Sequence, residues 1–234
     1  EYFFLRKIWN YLKFEFQSIN EMLNANVIYM RFLPRALISL IISGFLSSYK
    51  KVYWEHNSIL KYEYKVLGRP WIDFIILRFI CWFAKRTHVI HVTVTKEIKQ
   101  SWVDKGISYN NIMVIPNGYL KNTHRLNICE SLKRTVSEIK NRHLCLAIFV
   151  ANFYPWSGVQ QILEIIKNVD GLGLIIVGDI SIQLQTMVPE NAYLMNSRST
   201  VELEYIYQYC NISFGPFNLK TTGLTEASPL KVRE

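Results

Sequence analysis

Short apolar runs alternate with longer amphipathic stretches along the chain, a pattern that predicts parallel α/β architecture. In the first half, apolar runs at 26–31, 51–56, 88–94 and 111–115 are predicted to be strands. Helices are predicted between them over 36–49, 70–84 and 96–106. Thr95 is placed to cap the last helix and Gly106 to end it.

A second α/β unit follows a polar stretch. Strands are predicted over 144–151, 173–178, 191–195 and 211–214, with helices over 158–167, 201–209 and from about Thr225 onward. The polar stretch between the two series of strands and helices predicts a Rossmann-like domain over 1–120, a linker with a connecting helix over 121–142, and a second domain over 143–234. Ligands of open parallel sheets bind beyond the carboxyl ends of the strands, so residues such as His56, Asn117 and Asp179 are candidates for a site.

Composition narrows the class of protein. Half of the residues are hydrophobic and 14% are aromatic, which excludes a disordered chain. The four cysteines include no C-x-x-C pair, which is typical of a reduced cytosolic protein, although spacing alone leaves a disulfide open. The closest histidines, His88 and His91, have no third ligand nearby, so no metal site is predicted.

The excess of positive over negative charge lies entirely in the first half of the chain. Residues 1–130 hold 18 Lys and Arg against 9 Asp and Glu, whereas residues 131–234 hold 9 of each. Such a basic, aromatic-rich half fits an anionic membrane surface, with a plain basic domain as the alternative and nucleic acid as the weaker one. The apolar stretch 36–49 is shorter than the about 20 residues that span a bilayer. We therefore expect a cytoplasmic protein with peripheral contact to the inner face of the membrane.

Two carboxylates near the carboxyl end supply the candidate chemistry. Glu226 and Glu234 are eight positions apart, so on a helix they lie roughly 80° apart around the axis and can reach one ligand. Gly223, Leu224 and Thr225 directly precede them, where free backbone N–H groups favour a phosphate. This arrangement predicts a sugar-nucleotide site.

Four motifs in order then resemble the retaining glycosyltransferases of family four. Residues 114–118 (VIPNG) resemble the turn that ends the first domain, and residues 149–158 (FVANFYPWSG) resemble the first strand and loop of the donor domain. Residues 174–179 (LIIVGD) are similar to its second strand, and Glu226-x7-Glu234 is similar to the family's E-x7-E motif. The resemblance implies a GT-B fold, in which two Rossmann-like parallel-sheet domains face a cleft. The acceptor-side domain comes first and the donor domain second, and we expect both to be incomplete at the chain ends, as in an internal fragment.

The resemblance also implies roles for single residues. Glu234 would accept hydrogen bonds from the donor ribose, and Glu226 would face the transferred sugar, with a stabilising charge at a helix N-terminus as the structural alternative. Lys231 would hold a phosphate oxygen, or else form a surface ion pair. The N–H groups of 223–225 would hold the diphosphate.

The loop after the first donor-domain strand departs from the family. Where relatives often carry Arg and Lys, this chain has Asn152 and Ser157, so it lacks the usual cationic clamp. With Gly158, these residues are still assigned to donor binding. His56 resembles a strand-end histidine that faces donor and acceptor, and we expect its imidazole to be exposed and catalytic. His88 and His91 alternate with apolar residues and are expected to be structural.

The implied reaction moves a sugar from a nucleoside diphosphate to an acceptor hydroxyl with retention, in bacterial cell-surface glycan synthesis. The acceptor would be a glycan or a lipid-linked sugar, and neither metal nor cofactor is expected, because no D-x-D motif is present. A GT-B hydrolase or epimerase acting on nucleotide sugars is one alternative. A noncatalytic glycan- or membrane-binding module is another.

Overall fold

A computed structural model describes residues 2–118, 128–151, 154–179, 182–222 and 225. The chain divides into two compact units, Glu1–Pro116 and Asn117–Glu234. Each unit is an α/β layer structure built on its own parallel sheet. Among the residues described, none of the helices is both long and apolar enough to cross a bilayer.

The first unit contains a four-stranded parallel sheet whose strands follow one another in sequence order. Its strands are β1 (Val27–Arg31), β2 (Lys51–His56), β3 (Ile90–Thr93) and β4 (Ile112–Val114). Each lies within two residues of its predicted ends. Because all four strands run parallel, their carboxyl ends lie at the same edge of the sheet.

Within residues 2–116, five α-helices accompany this sheet. They are α1 (Tyr2–Asn24), α2 (Leu37–Leu46), α3 (Leu60–Val66), α4 (Trp71–Ala84) and α5 (Lys96–Asp104). The predicted start of α5 is confirmed, since the Thr95 side chain accepts a hydrogen bond from the Ile98 N–H at 3.2 Å. Gly106 follows the helix with a φ of 88°, a conformation that glycine adopts without strain. Neither α1 nor α3 was predicted.

A buried carboxylate fastens α1 to α2. Glu15 is almost fully buried and accepts a hydrogen bond from the Ser39 backbone N–H at 2.9 Å. The Ser39 and Tyr11 hydroxyls also donate to it. Three donors satisfy a charge that would otherwise be costly to bury, so this contact holds α1 at a defined place on the unit.

The second unit contains a four-stranded parallel sheet in the order β7-β6-β5-β8. Its strands are β5 (Cys145–Val150), β6 (Leu172–Val177), β7 (Ala192–Met195) and β8 (Ile212–Phe214), each within two residues of its predicted ends. The order reverses at β5, which pairs with β6 on one side and β8 on the other. Such a reversal point is where doubly wound folds bind ligands.

Helices cover both faces of this sheet. They are α6 (Glu130–Arg142), α7 (Val159–Lys167), α8 (Ile182–Gln185) and α9 (Thr200–Tyr207). The β5 side chains alternate between two cores. Leu146 and Ile148 pack with residues of α6 and α9, whereas Ala147 and Phe149 pack with residues of α7 and α8. A strand buried on both faces reads as a continuous apolar run, which is why β5 was recognisable in the sequence.

Helix α6 differs from its predicted place. The sequence put it in a linker, but Leu132, Val136 and Ile139 are buried in the same core as Leu146. Its polar composition reflects its outer face, while the three buried residues recur at spacings of four and three. Helix α6 is therefore a structural part of the second unit.

Candidate functional site

Two loops meet at the carboxyl edge of the second sheet. One follows β5 and contains a short 3₁₀ turn at Pro155–Ser157, and the other follows β8 and leads to a turn at Leu219–Thr222. The Phe217 N–H donates to the Ser157 carbonyl at 3.0 Å, and the Asn218 N–H donates to the Trp156 carbonyl at 3.1 Å. These two backbone hydrogen bonds join the loops at the reversal point of the sheet.

Gly158 permits this close approach. Its φ is 68°, in the left-handed region, and a Cβ placed there would lie 2.7 Å from the Phe217 Cβ and 3.2 Å from the Asn218 nitrogen. Both atoms belong to the backbone or are bonded directly to it, so they cannot rotate away. Only glycine fits at this position without moving the second loop.

Helix α7 begins directly after Gly158. Its first turn offers backbone N–H groups that have no partner within the helix, and the helix dipole adds positive character there. The Ile162 N–H donates to the Gly158 carbonyl at 3.1 Å, which marks the first helical hydrogen bond. The joined loops therefore lie beside an end of a helix that favours anions, the kind of site at which folds of this class hold phosphates.

Aromatic rings lie on both joined loops, and the sequence analysis did not single them out. Tyr154 and Trp156 stack with ring centroids 4.6 Å apart and planes inclined by 22°. Tyr154 and Phe217 are each about half exposed. Exposed rings at a strand edge suit a nucleobase or the apolar face of a sugar. The signal for them in the sequence is the run of aromatic residues directly before Gly158.

A polar pair lies at the ends of the neighbouring strands. The Ser197 hydroxyl, after β7, donates to an Asp179 carboxylate oxygen at 2.8 Å. Asp179 follows β6, as predicted, and its side chain is exposed. The hydrogen bond orients the carboxylate, whose two oxygens can accept several hydrogen bonds, including one from a ligand hydroxyl.

His56 lies at the carboxyl end of β2, but the expectation that it is exposed is wrong. Only 3% of its surface is accessible, because the rings of Phe32 and Trp102 pack on it at centroid distances of 4.6 and 4.3 Å. Its Nε2 lies 2.9 Å from Nδ1 of His91, which is itself 1% exposed. Its assignment as a catalytic residue stays a prediction.

Burial controls the protonation of this pair. Burial, the neighbouring His91 and then Lys105 hold the pKa of His56 well below its usual value. Burial lowers the pKa of His91 to about 4. Both imidazoles are therefore neutral at pH 7, so one ring donates the shared hydrogen bond and the other accepts it.

The remaining predicted site residues are only partly described. Ser157 is buried and contributes its backbone carbonyl to the joined loops, and Thr225 is exposed. The others lie outside the described residues, namely Asn152, Gly223, Leu224, Glu226, Lys231 and Glu234. In the described part of the chain, no three His, Cys, Asp or Glu side chains come together as a metal site requires. The expectation of a metal-free site stays a prediction.

Comparison with solved structures identifies the fold. HepE from Anabaena, solved with UDP and glucose, superposes with a TM-score of 0.61 at 14% identity over 87% of this chain. Sucrose-phosphate synthase from Thermosynechococcus elongatus gives a TM-score of 0.56 at 11% identity over 88% of the chain. A putative UDP-N-acetylglucosamine 2-epimerase from Listeria monocytogenes gives 0.53 at 12% identity over 87%.

The chain spans 57% of the length of HepE, 55% of the synthase and 56% of the epimerase. The sequence matches no family model and none of the curated proteins. At these identities the likeness is one of architecture. Together with the two parallel-sheet units, it shows that the chain has the GT-B fold.

Proposed function

We propose that this protein is a glycosyltransferase that transfers a sugar from a nucleoside diphosphate to an acceptor hydroxyl. The observation that carries the proposal is the pair of loops joined at Gly158, beside the first turn of α7 and at the reversal point of the second sheet. A diphosphate would lie against the N–H groups of α7, and a nucleobase or sugar against Tyr154 or Phe217. HepE, which has the same fold, was solved with UDP-glucose.

The finer assignments rest on the resemblance to family four. We propose transfer with retention, in which the departing phosphate helps to deprotonate the acceptor on the same face of the sugar. Glu226 would face the transferred sugar, Glu234 would bind the ribose, and Lys231 would take the place of the cations that the loop at 152–157 lacks. A glycan or lipid-linked acceptor, cell-surface glycan synthesis and a cytoplasmic location belong to the same proposal.

Donor binding is the direct test, because it requires no acceptor. We expect UDP and UDP-glucose to bind in titration calorimetry, and the Tyr154→Ala and Phe217→Ala variants to bind about tenfold more weakly, since an aromatic stack contributes on the order of 1 kcal/mol or more. Tyr109→Ala, which removes an exposed ring from the first unit, is the matched control. No binding of uridine, guanosine or adenosine diphosphates would contradict the proposal.

Removal of the Glu226 carboxylate is expected to reduce transfer by about a hundredfold or more, because the lost interaction acts on the charge that develops in the transition state. The measurement is turnover of a radiolabelled nucleotide sugar by Glu226→Ala with a cell-envelope glycan acceptor. Glu190→Ala, an exposed carboxylate outside the site, is the control. Unchanged transfer by Glu226→Ala would refute the catalytic assignment.

Chelation tests the metal-free proposal. We expect transfer to be unchanged in EDTA, because N–H groups and Lys231 would stabilise the departing diphosphate. The check is the rate of nucleoside diphosphate release before and after dialysis against the chelator. A loss of rate that Mg²⁺ or Mn²⁺ restores would contradict it.

An epimerase or hydrolase of nucleotide sugars is the second candidate, favoured by the likeness to the Listeria protein. The two functions differ in what happens without an acceptor. An epimerase inverts a ring carbon and a hydrolase releases free sugar, whereas a transferase leaves most of the donor intact. Chromatography of the labelled donor after incubation with the protein alone distinguishes them.

A further inference from the structure

Helix α4 presents a large apolar face to solvent. Trp71 is 72% exposed, Ile75 51% and Trp82 50%, with Ile72 and Phe79 nearly as open. At about 100° per residue, these five side chains fall within an arc of about 100° along a helix roughly 21 Å long. Leu77, Ile80 and Ala84 are buried on the other side. The face is continuous and rigid, because the buried side fixes the helix to the unit.

Cations border this face. Arg78 and Lys85 lie along one margin, and the Arg86 guanidinium stacks over the Trp82 ring, 3.9 Å from its centroid. Three more cations lie on or just after α3, namely Lys61, Lys65 and Arg69. An indole beside a guanidinium is a pairing that suits the polar-apolar boundary of a bilayer.

The acidic residues of the same stretch do not offset this charge. Between residues 60 and 86 the acids are Glu63 and Asp73. Asp73 is buried and bound by the Arg35 guanidinium at 2.7 Å. Glu63 is outnumbered by six cations in the same stretch, namely Lys61, Lys65, Arg69, Arg78, Lys85 and Arg86. A partner therefore meets an apolar stripe with an excess of positive charge.

We propose that this α4 face docks on an anionic lipid surface, with the helix lying in the plane of the membrane. The apolar side chains would enter the boundary between headgroups and acyl chains, while the bordering cations contact lipid phosphates. The charge complementarity selects anionic lipid over a neutral apolar partner. This surface is independent of the donor site in the second unit, so either proposal can fail without the other.

Flotation of the full chain with vesicles tests this surface. We expect binding to equimolar phosphatidylcholine and phosphatidylglycerol, and weak binding to phosphatidylcholine alone. Trp71→Ala and Ile75→Glu should each weaken partitioning by about tenfold or more, because each removes an apolar group from the boundary. Arg78→Gln and Lys85→Gln should each weaken it by about fivefold, with an effect that salt diminishes.

Matched variants distinguish binding through the α4 face from nonspecific adsorption of the protein to vesicles. Trp9→Ala removes a similarly exposed indole from α1, and Lys167→Gln removes an exposed cation from the second unit. Both should bind like the unaltered protein, and circular dichroism should show all variants folded. Equal binding to neutral vesicles, a Trp9→Ala effect equal to that of Trp71→Ala, or dimers that Ile75→Glu abolishes would each overturn the proposal.

Discussion

Gly158→Ala is expected to destabilise the second unit by about 2–4 kcal/mol and to weaken UDP binding by about tenfold or more. Alanine in the left-handed φ region accounts for part of the loss of stability, on the order of 1 kcal/mol. The rest arises because the new methyl group must displace the Phe217 Cβ and the Asn218 backbone. Displacing them breaks the two hydrogen bonds that join the loops and moves the 215–218 segment away from α7.

Two glycines supply controls for this substitution. Gly171 also has a positive φ in the second unit, but its added Cβ meets only the exposed side chain of Leu144, which can rotate away. Gly68 has a φ of 58° and open space around it. Urea unfolding and calorimetry should show losses of about 1 kcal/mol for both controls with unchanged UDP affinity. If Gly158→Ala and Gly171→Ala change the free energy of unfolding and the UDP affinity equally, the close approach of the loops contributes to neither.

Acid is expected to destabilise the first unit steeply. The pKa values of His56 and His91 are depressed in the folded state, so the unfolded chain binds more protons once the pH falls below about 6.5. Stability is therefore complete above that pH and is lost as the pH falls towards the folded pKa, which is about 4 for His91. At pH 5 the His91 imidazole should contribute a loss of about 2 kcal/mol, and His56 acts in the same direction.

His91→Gln tests this dependence, because an amide keeps a hydrogen-bonding group near His56 but does not titrate. We expect the variant to lose the His91 contribution, about 2 kcal/mol, to the pH dependence of the unfolding free energy between pH 7 and 5. Identical pH profiles for His91→Gln and the unaltered protein would show that the pair does not govern acid stability.

Strands β3, β5 and β6 were predictable because they are buried on both faces and so appear as apolar runs in the sequence. Helix α1 was not recognised, although neither glycine nor proline interrupts residues 1–33. Its exposed aromatic residues obscure the helical period, and the Glu15 contact that docks it is tertiary. Short α3 and α8 carry too few turns to show a period.

The candidate site was predicted less completely than the fold. The strand-end place of Asp179 followed from the alternation of strands and helices, and the structure agrees. Gly158 was assigned through the resemblance to family four, and the structure places it directly before α7. The burial of His56 could not be predicted from the sequence pattern. Phe32 and Trp102 come from distant parts of the chain, and only folding brings them onto its ring. Sequence pattern locates strand ends, whereas exposure at those ends depends on neighbours that it does not reveal.

The strand order of the second sheet has a consequence for synthesis on the ribosome. The first sheet pairs each strand with the next, so it can grow as the chain emerges. In the second, one edge of β5 stays open until β8 appears about 60 residues later. Since the loop after β8 completes the paired loops at Gly158, the candidate site is expected to form only after β8 has emerged. Until then the growing chain carries an open strand edge that a chaperone would protect.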